Sequence, residues 1–373
     1  MKFVRTPLLA VLFCAAFPSP EATAQGMNDG LRIGVLAPAE GTYRLLGDQI
    51  VDGVTVFAIA TGGLVTDIVQ EPDNCDARGG ADAASAFVEA GVDAVIGFLC
   101  MESLMTALPV LSASDIPAIT LGVRSGIVAE DAAQNGWLFY RMAPRADDEA
   151  QKVAEVITAL WADQPLALIE DGTIYGRELA EAVRFLLEET GITPIFIDNF
   201  RPSQERQLNL VRRLTRSGAS HIFIGSDRRD TAIIARDSAS NDLDLTLMGG
   251  DALNAAEDEP ALADGVLAVT LPDPMSLESA QSAVAFFENT GFSAEGYAVP
   301  AFAAGQVLVD AKRAAATGDT PLSEALRATP FATAIGVIEF DDFGERKDNP
   351  FRLMVWRNGA FHAFDEPRED ATQ

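Results

Sequence analysis

Few residues of this chain are suited to catalysis, whereas several could hold a small charged molecule. The 373-residue sequence contains 2 histidines and 3 cysteines. It has no Gly-x-Ser-x-Gly elbow, no Gly-x-x-x-x-Gly-Lys phosphate loop and no His-Glu-x-x-His zinc motif. Because histidines and spare thiols are scarce and the carboxylates are too numerous to single out a site, we expect a protein that is not an enzyme and uses neither a metal nor a cofactor.

Arg124 and Asp251 are the two charged residues that could grip a ligand directly. Each follows a strand-like apolar run, at 117–121 for the arginine and at 245–248 for the aspartate. A guanidinium presents a rigid fork of donors that matches a carboxylate, and an aspartate can pair with a cationic amine. Together they would form a clamp for a zwitterion. The alternatives are a surface charge on a loop for Arg124 and a solvated or helix-capping carboxylate for Asp251.

Three uncharged residues could line the same site. Ser103 stands near a predicted helix start, where backbone amides and the helix dipole favour an anion, although it could equally be a plain N-cap. Tyr175 opens another predicted helix and could either cover the apolar part of a ligand or simply pack. Ser226 and Asp227 end a strand and could face the site, although the two arginines that follow could neutralise the aspartate.

The N-terminus has the organisation of a secretory signal peptide. Two basic residues precede an apolar run from Leu8 to Phe17, and Ala22-Thr23-Ala24 offers small residues for cleavage near Ala24. The apolar run is too short to cross a bilayer, which takes about 20 residues. We therefore expect a periplasmic protein that loses residues 1–24 and does not insert in the membrane. A lipid anchor on Cys14 is the alternative, which the bulky residue before that cysteine opposes.

Cys75 and Cys100 are the cysteines that remain after the signal peptide. In an oxidising compartment an isolated pair is most simply a disulfide. A reactive or metal-binding thiol pair is the alternative, but neither a second thiol pair nor a histidine stands nearby in the sequence. We therefore expect the disulfide.

The overall charge excludes some classes of partner. The chain has 55 acidic against 27 basic residues, for a formal net charge of −28. Such a surface repels nucleic acid and anionic lipid, so we expect neither as a partner.

Apolar residues make up 48% of the sequence, and the mature length suits two lobes with separate cores. The acidic 365–373 segment is expected to be a flexible tail.

Strand and helix signals alternate in two successive series. The first series has strands at 31–36, 65–69, 93–99 and 117–121, with helices at 45–61, 81–90 and 102–114. The second begins with a strand at 138–142 and continues with helices at 147–161, 176–189, 203–216 and 230–240 and strands at 166–169, 193–199, 221–225 and 245–248. This alternation predicts right-handed βαβ crossovers and parallel sheets covered on both faces.

The last third departs from this alternation. It has a strand at 265–270, helices at 277–289 and 296–315, and strand-like segments at 335–340, 351–356 and 360–364. Because this part is too short for a third domain, it should return to complete both earlier sheets. The predicted fold class is α/β with two lobes, and the chain should cross between them near 142–146, 270–274 and 340–348. Lobe 1 would comprise 27–143 plus 273–342, and lobe 2 would comprise 144–272 plus 343–364.

Several motifs, in order along residues 31–362, resemble the leucine/isoleucine/valine-type periplasmic solute-binding proteins of ABC importers. They are Ile33-Gly34-Val35-Leu36-Ala37-Pro38 with Leu46-Gly47-Asp48, Asn74-Cys75-Asp76 with Ile96-Gly97-Phe98-Leu99-Cys100, Tyr175-Gly176-Arg177, Met248-Gly249-Gly250-Asp251, and Ile335-Gly336-Val337-Ile338-Glu339-Phe340-Asp341. The resemblance implies two Rossmann-like lobes with parallel central sheets, joined by three hinge crossings, with a disulfide in the first lobe. It also implies that the lobes close on a small-molecule ligand and deliver it to ABC permease subunits in the membrane. We expect a monomer.

The resemblance also suggests which residues hold the carboxylate of the ligand. In the family this is done by hydroxyls and backbone amides after the second cysteine and by a later Ala-Thr pair. Here the two residues after Cys100 lack hydroxyls, and Ser103 is the nearest one. The Ala-Thr pair is matched by Val123 and Arg124, followed by Ser125. Arg124 would therefore compensate for the missing hydroxyls.

The other half of the ligand is assigned in the same way. The acidic residue that binds the ammonium group matches Asp251, and the ring-stacking aromatic matches Tyr175. Leu46 stands where the family has an aromatic residue, with Tyr43 close by. We therefore expect a periplasmic solute-binding protein for an amino-acid-like or carboxylated ligand. The alternative is an exported ligand sensor of the same fold that signals to a partner protein.

Overall fold

The computed structural model describes residues 30–256 and 259–364. The expected signal peptide and the 365–373 tail lie outside the described residues. Two large sheets and one separate two-stranded hairpin form the framework. Within the described ranges, no helix combines the length and the apolar character needed to cross a membrane.

Five strands of the N-terminal part form the first sheet. They are β1 (Leu31–Ala37), β2 (Val65–Pro72), β3 (Ala94–Gly97), β4 (Ala118–Thr120) and β5 (Phe139–Arg141). The helices between them are α1 (Arg44–Ala60), α2 (Ala77–Ala90), α3 (Met101–Ser112) and α4 (Gly126–Asn135). All pairings are parallel, in the spatial order β2-β1-β3-β4-β5. Helices cover both faces, which explains why β1 and β3 are continuous apolar runs.

The second series of strands repeats this arrangement. Its strands are β6 (Leu166–Glu170), β7 (Phe196–Asn199), β8 (His221–Gly225), β9 (Thr246–Gly249) and β10 (Leu267–Thr270). Its helices are α5 (Asp148–Leu160), α6 (Ile174–Glu189), α7 (Leu208–Ser217) and α8 (Arg228–Ala239). Asp76, Thr173 and Asp227 start α2, α6 and α8 as N-caps that accept the amide three residues on, which fixes where these helices begin.

The last third completes only one of the two sheets, contrary to the prediction. Its elements are α9 (Gln281–Thr290), α10 (Ala298–Gly318), α11 (Leu322–Ala328), β11 (Phe331–Thr333), β12 (Gly336–Ile338), β13 (Arg352–Arg357) and β14 (Ala360–Ala363). β13 and β14 join the second sheet in antiparallel orientation, in the order β14-β13-β10-β9-β8-β6-β7. β11 and β12 pair only with each other, because Phe331 and Ile338 are buried against α10 in the core of the first sheet.

Two local predictions also differ from the structure. α4 was not predicted, since only Val128 and Ala132 of its residues are buried and its apolar pattern is weak. α7 begins at Leu208 instead of 203, because Ser203 adopts a left-handed φ of 59° and its amide donates to Asp230 Oδ1 (3.0 Å). Both cases depend on tertiary contacts that local periodicity does not report.

Two chain segments that connect the halves run side by side. One follows β5 toward α5, and the other leads from β12 to β13. The Arg141 amide donates to Gly344 O (2.8 Å), and Asn349 Nδ2 donates to Asp148 O (2.7 Å). A side chain at position 344 would collide with the Phe139 carbonyl, so glycine is required for this close approach. The role of these segments as hinges stays a prediction.

Candidate functional site

The carboxyl ends of the two sheets meet at Arg124 and Asp251. Arg124 lies in the loop after β4, and Asp251 begins a short 3-10 helix after β9. Arg124 Nη2 lies 3.8 Å from Asp251 Oδ2. Open parallel sheets bind ligands at this edge, because the loops there end free of the hydrogen-bond ladder. The two residues chosen from the sequence are therefore brought together between the sheets.

Arg124 is held so that its guanidinium remains available. Its side chain is 40% exposed, and the guanidinium carbon lies 5.9 Å from the centre of the Phe351 ring. The Arg124 carbonyl accepts the Ala146 amide (3.1 Å), which ties this loop to the connection toward α5. The distance to Asp251 is long for a charge-assisted hydrogen bond, so an incoming carboxylate could take over most of the donors of Arg124.

One carboxylate oxygen of Asp251 is hydrogen-bonded within the second sheet region, and the other faces Arg124. Its Oδ1 accepts the Thr270 hydroxyl (2.6 Å) and the Leu271 amide (3.1 Å). These two bonds fix the orientation of the carboxylate and leave Oδ2 toward Arg124. Asp251 is thus neither fully solvated nor merely a cap, and it is positioned to meet a cationic group.

Glu149 is a third charged residue of the site, and the sequence analysis missed it. It lies in the first turn of α5 and is 8% exposed. Its Oε1 accepts the Tyr175 hydroxyl (2.6 Å) and the Asp251 amide (2.7 Å). Burial raises the pKa of Glu149, and the hydrogen bond from Tyr175 and the one from the Asp251 amide oppose this shift. In a chain with 55 acidic residues, an acidic first turn looks like a solvated helix start.

Tyr175 lies in the site but its hydroxyl is already engaged. Besides donating to Glu149, the hydroxyl accepts the Ala252 amide (3.3 Å). Burial raises the pKa of Tyr175 above its ordinary value, and the charge of Glu149 raises it further. Tyr175 therefore acts as a fixed neutral donor that orients Glu149, while its ring remains half-buried beside Gly250.

A groove of mixed polarity borders the site on the side of the first sheet. It has a volume of about 600 Å³ and is lined by Tyr43, Leu46, Leu99, Met101 and Tyr297 and also by Asp76 and Glu102. Tyr43 is 51% exposed, whereas burial raises the pKa of the Tyr297 hydroxyl. Tyr297 precedes α10 and was not selected from the sequence, because no local signal distinguishes it from a core aromatic residue. The groove could hold the apolar part of a ligand.

Two predicted hydroxyls point into the protein instead of the cleft. Ser103 and Ser226 are both fully buried. Ser103 Oγ lies 3.0 Å from Asp73 Oδ2 and 3.1 Å from Cys100 O, so its single hydrogen has two acceptors within reach. Ser226 Oγ shares a hydrogen bond with Thr231 Oγ1 (3.0 Å). The structure therefore gives both serines internal partners, and direct ligand contact would require these bonds to be exchanged.

The flanking residues of Arg124 have backbone roles. Val123 is buried, and Ser125 precedes α4 without making a side-chain capping bond. The carbonyls of both residues accept hydrogen bonds from the Arg141 guanidinium. Only Arg124 of these three presents a charged side chain to the cleft.

The predicted disulfide between Cys75 and Cys100 is present. It borders the groove, and the Cys75 amide donates to Asp73 Oδ1 (2.7 Å). Asp73 thus connects both ends of the disulfide loop, because its other oxygen accepts Ser103. The two sulfurs are bonded to each other, so the alternative of a reactive or metal-binding thiol pair does not apply.

Replacing Glu149 by glutamine is expected to stabilise the protein at neutral pH. The pKa of Glu149 is raised in the folded state, so the folded protein binds the carboxyl proton more tightly than the unfolded chain does. As the pH rises from the unfolded-state pKa to the folded-state pKa, ionisation of this carboxyl therefore lowers the free energy of unfolding. Glutamine removes this penalty and can still accept from Tyr175 and Asp251. The gain should disappear below about pH 4, where the unfolded glutamate is protonated too. Urea unfolding between pH 4 and pH 8 measures it.

A matched control is Glu155→Gln on the same helix, whose carboxylate is 62% exposed. This variant should follow the wild-type pH profile. If Glu149→Gln also follows the wild-type profile, the carboxyl of Glu149 is not desolvated in the folded protein.

Comparison with known proteins gives a consistent family. The sequence pattern of a family described as periplasmic binding protein matches residues 30–360. The Leu/Ile/Val-binding protein homolog 2 of Brucella abortus is 26% identical over 88% of this chain and 91% of its own length. A crystal structure described as a candidate branched-chain amino acid ABC transporter from Rhodospirillum rubrum has a TM-score of 0.75 at 19% identity, over 90% of this chain and 100% of that one. A solute-binding protein from R. palustris in complex with 4-hydroxybenzoate has a TM-score of 0.62 at 16% identity, over 91% of this chain and 96% of that one.

Proposed function

We propose, from the premise that this chain belongs to the family of periplasmic binding proteins, that it is the solute-binding component of an ABC importer. Its ligand would be a small amino acid bound between the two sheets. The lobes 27–143 plus 273–342 and 144–272 plus 343–364 would close on it, and ABC permease subunits would receive it. The expected periplasmic location and a monomeric state belong to this proposal.

The observation that carries the ligand class is the charge arrangement around Arg124. One cationic side chain faces the Asp251 carboxylate at 3.8 Å, and Glu149 is hydrogen-bonded to the amide of Asp251. A zwitterion inserted here would place its carboxylate on Arg124 and its ammonium group toward Asp251. Each ligand charge would then meet an opposite charge with fixed orientation, which favours binding most when water is excluded.

The groove beside this charged pair suits an apolar side chain. Tyr43, Leu46 and Tyr297 line it and could contact an apolar group, and Asp76 and Glu102 add carboxylates to the lining. Small-molecule sites are commonly apolar with a few convergent polar groups, and this site has that composition. The name of the Brucella relative supports the same ligand class. A simple aromatic carboxylate is the competing ligand, since it would use Arg124 without needing Asp251.

The sensor alternative is less well supported than transport. The family pattern and the relatives describe solute binding and ABC transporters, and none of those reported above is described as a signalling receptor. The same comparisons support a binding role for this chain.

A thermal-shift screen of the mature protein tests the ligand class. The twenty standard amino acids and 4-hydroxybenzoate would be added at millimolar concentration. A ligand at about 100 times its Kd adds about 2.7 kcal/mol to the free energy of unfolding, which raises the Tm measurably. A shift with an aliphatic amino acid supports the proposal. A Tm shift with 4-hydroxybenzoate and with no amino acid would contradict the proposed ligand class and indicate a simple carboxylic acid as the ligand.

Ligand binding is also expected to make the molecule more compact. A ligand that contacts Arg124 and Asp251 together interacts better with a closed cleft than with an open one, so it should shift the population toward closure. Small-angle scattering at saturating leucine, or at the best amino acid of the screen, should give a smaller radius of gyration than the free protein. An unchanged curve at saturation would contradict closure, and a non-binding amino acid serves as the control.

A further inference from the structure

We propose that Arg141 is a positioning residue that fixes the backbone on both sides of Arg124 to the segment by which the chain returns toward β13. The proposal goes beyond the solute-binding function. It rests on that function only in assigning Arg124 to the ligand.

The Arg141 guanidinium makes three contacts from a fully buried position at the end of β5. Nη1 donates to Val123 O (3.2 Å), and Nη2 donates to Ser125 O (2.7 Å). Nη2 also lies 3.1 Å from Glu345 Oε1. The two carbonyls flank Arg124 in sequence, so one planar group spans the loop that carries the candidate ligand residue. Only an arginine has donors spaced to reach both carbonyls and a carboxylate together.

The partner of this guanidinium lies in the other connection. Glu345 is buried, and the residue before it accepts the backbone amide of Arg141 (2.8 Å). A displacement of segment 344–346 relative to β5 would therefore act on Arg141, and through it on the carbonyls of Val123 and Ser125. This connects the ligand loop with the two chain segments that run between the halves.

The pair is poorly suited to a purely stabilising role. Removing two charges from water costs several kcal/mol in general, and such a pair stabilises only if its remaining polar atoms are satisfied. Within the described residues, Arg141 Nε and Glu345 Oε2 have no hydrogen-bond partner. Burial also lowers the pKa of Arg141 and raises that of Glu345, which agrees with incomplete compensation. What the arrangement does provide is a fixed geometry for residues 123–125.

Hydrogen exchange on the ligand-free mature protein tests the proposal. In Arg141→Met the amides of Val123 and Ala146, which donate to Thr120 Oγ1 (3.1 Å) and to Arg124 O (3.1 Å), should exchange at least about tenfold faster than in wild type, a factor that corresponds to about 1.4 kcal/mol. Arg141→Lys should accelerate the same amides, because an ammonium group can pair with Glu345 but cannot span both carbonyls. This second variant keeps the charge and covers the case in which the methionine variant does not fold.

The matched control is Tyr140→Phe in the same strand. It removes the hydrogen bond from the buried hydroxyl to Ser323 O (2.5 Å), which is not made to the loop, so exchange of the Val123 and Ala146 amides should stay at the wild-type rate. Equal exchange of these amides in wild type and both Arg141 variants would overturn the proposal. So would an acceleration spread evenly over all strands, which would show a general loss of stability.

Leucine binding by calorimetry adds a functional readout. If wild type binds leucine, Arg141→Lys should lower the affinity whereas Tyr140→Phe should not; equal affinity in Arg141→Lys and wild type would contradict control of Arg124 by Arg141. If wild type does not bind leucine, leucine is not the ligand, and the exchange experiment still decides the role of Arg141 by itself.

Discussion

Arg124→Ala is expected to weaken amino acid binding by about 30-fold or more, with little change in the free energy of unfolding. Truncating one partner of a desolvated charge pair costs about 2–5 kcal/mol, and each 1.4 kcal/mol is a factor of ten in Kd. The side chain of Arg124 is 40% exposed in the free protein and lies 3.8 Å from its ion-pair partner Asp251, so the fold should not depend on it. Calorimetry with the best amino acid of the screen measures the effect.

Two further variants make this result specific. Arg184→Ala removes a similarly exposed arginine that pairs with Glu188 on α6, and its Kd should equal that of wild type. Asp251→Asn keeps an acceptor for Thr270 and Leu271 but loses the negative charge. It should weaken an amino acid strongly and spare an analogue without the amine. If Arg124→Ala binds as tightly as wild type, Arg124 is a surface charge and the anion is held by backbone amides.

The second large effect concerns stability. Replacing both Cys75 and Cys100 by serine is expected to lower the free energy of unfolding by about 3.5 kcal/mol. The disulfide closes a loop with a sequence separation of 25, and the chain-entropy estimate for such a loop gives about this value. The loop begins just before α2 and ends at the start of α3. Loss of the disulfide should therefore also weaken the hydrogen bonds that Asp73 accepts from the Cys75 amide and from Ser103.

Urea unfolding measures this loss, with an m-value fitted separately for each protein because the disulfide constrains the unfolded state. Wild type treated with a thiol reductant should show the same decrease, and the double serine variant should not respond to the reductant. A decrease below about 1 kcal/mol in both cases would mean that Asp73 and the surrounding core hold this loop without the covalent bond. Because Cys75 and Cys100 border the groove, ligand affinity of the variant reports whether the groove also changes.

Local sequence patterns determined most of the secondary structure. Strands β1, β3, β6, β8 and β9 lie within or close to the predicted ranges, because they are short apolar runs between amphipathic helices. The same alternation implied parallel sheets, and sheets of this type place the residues after their strands along one edge. The resemblance to the leucine/isoleucine/valine-type proteins assigned Arg124 and Asp251, which are far apart in sequence, to one site, and the structure places their side chains 3.8 Å apart.

The tertiary structure decided what each side chain contacts. Glu149 stands among acidic residues at a helix start, and only the packing of α5 against α6 and the Asp251 loop buries it beside Tyr175. Ser103 was chosen for its position near a helix start, but the disulfide loop brings Asp73 over it and turns its hydroxyl inward. Hydrogen bonds between residues distant in sequence depend on the folded path of the chain, which local periodicity does not encode.

In the C-terminal third, local periodicity likewise does not encode which strands pair with each other. Its apolar pattern identified the segments that form β12, β13 and β14, but it missed β11 and did not give the strand partners. β13 and β14 extend the second sheet, whereas β11 and β12 form their own hairpin because α10 buries Phe331 and Ile338 in the core of the first sheet. The sequence by itself therefore determined the elements, the disulfide and the binding character of this protein. The tertiary structure decided the strand partners, the burial of Glu149 and the contacts of Arg141, since each depends on which distant surfaces bury the most apolar area together.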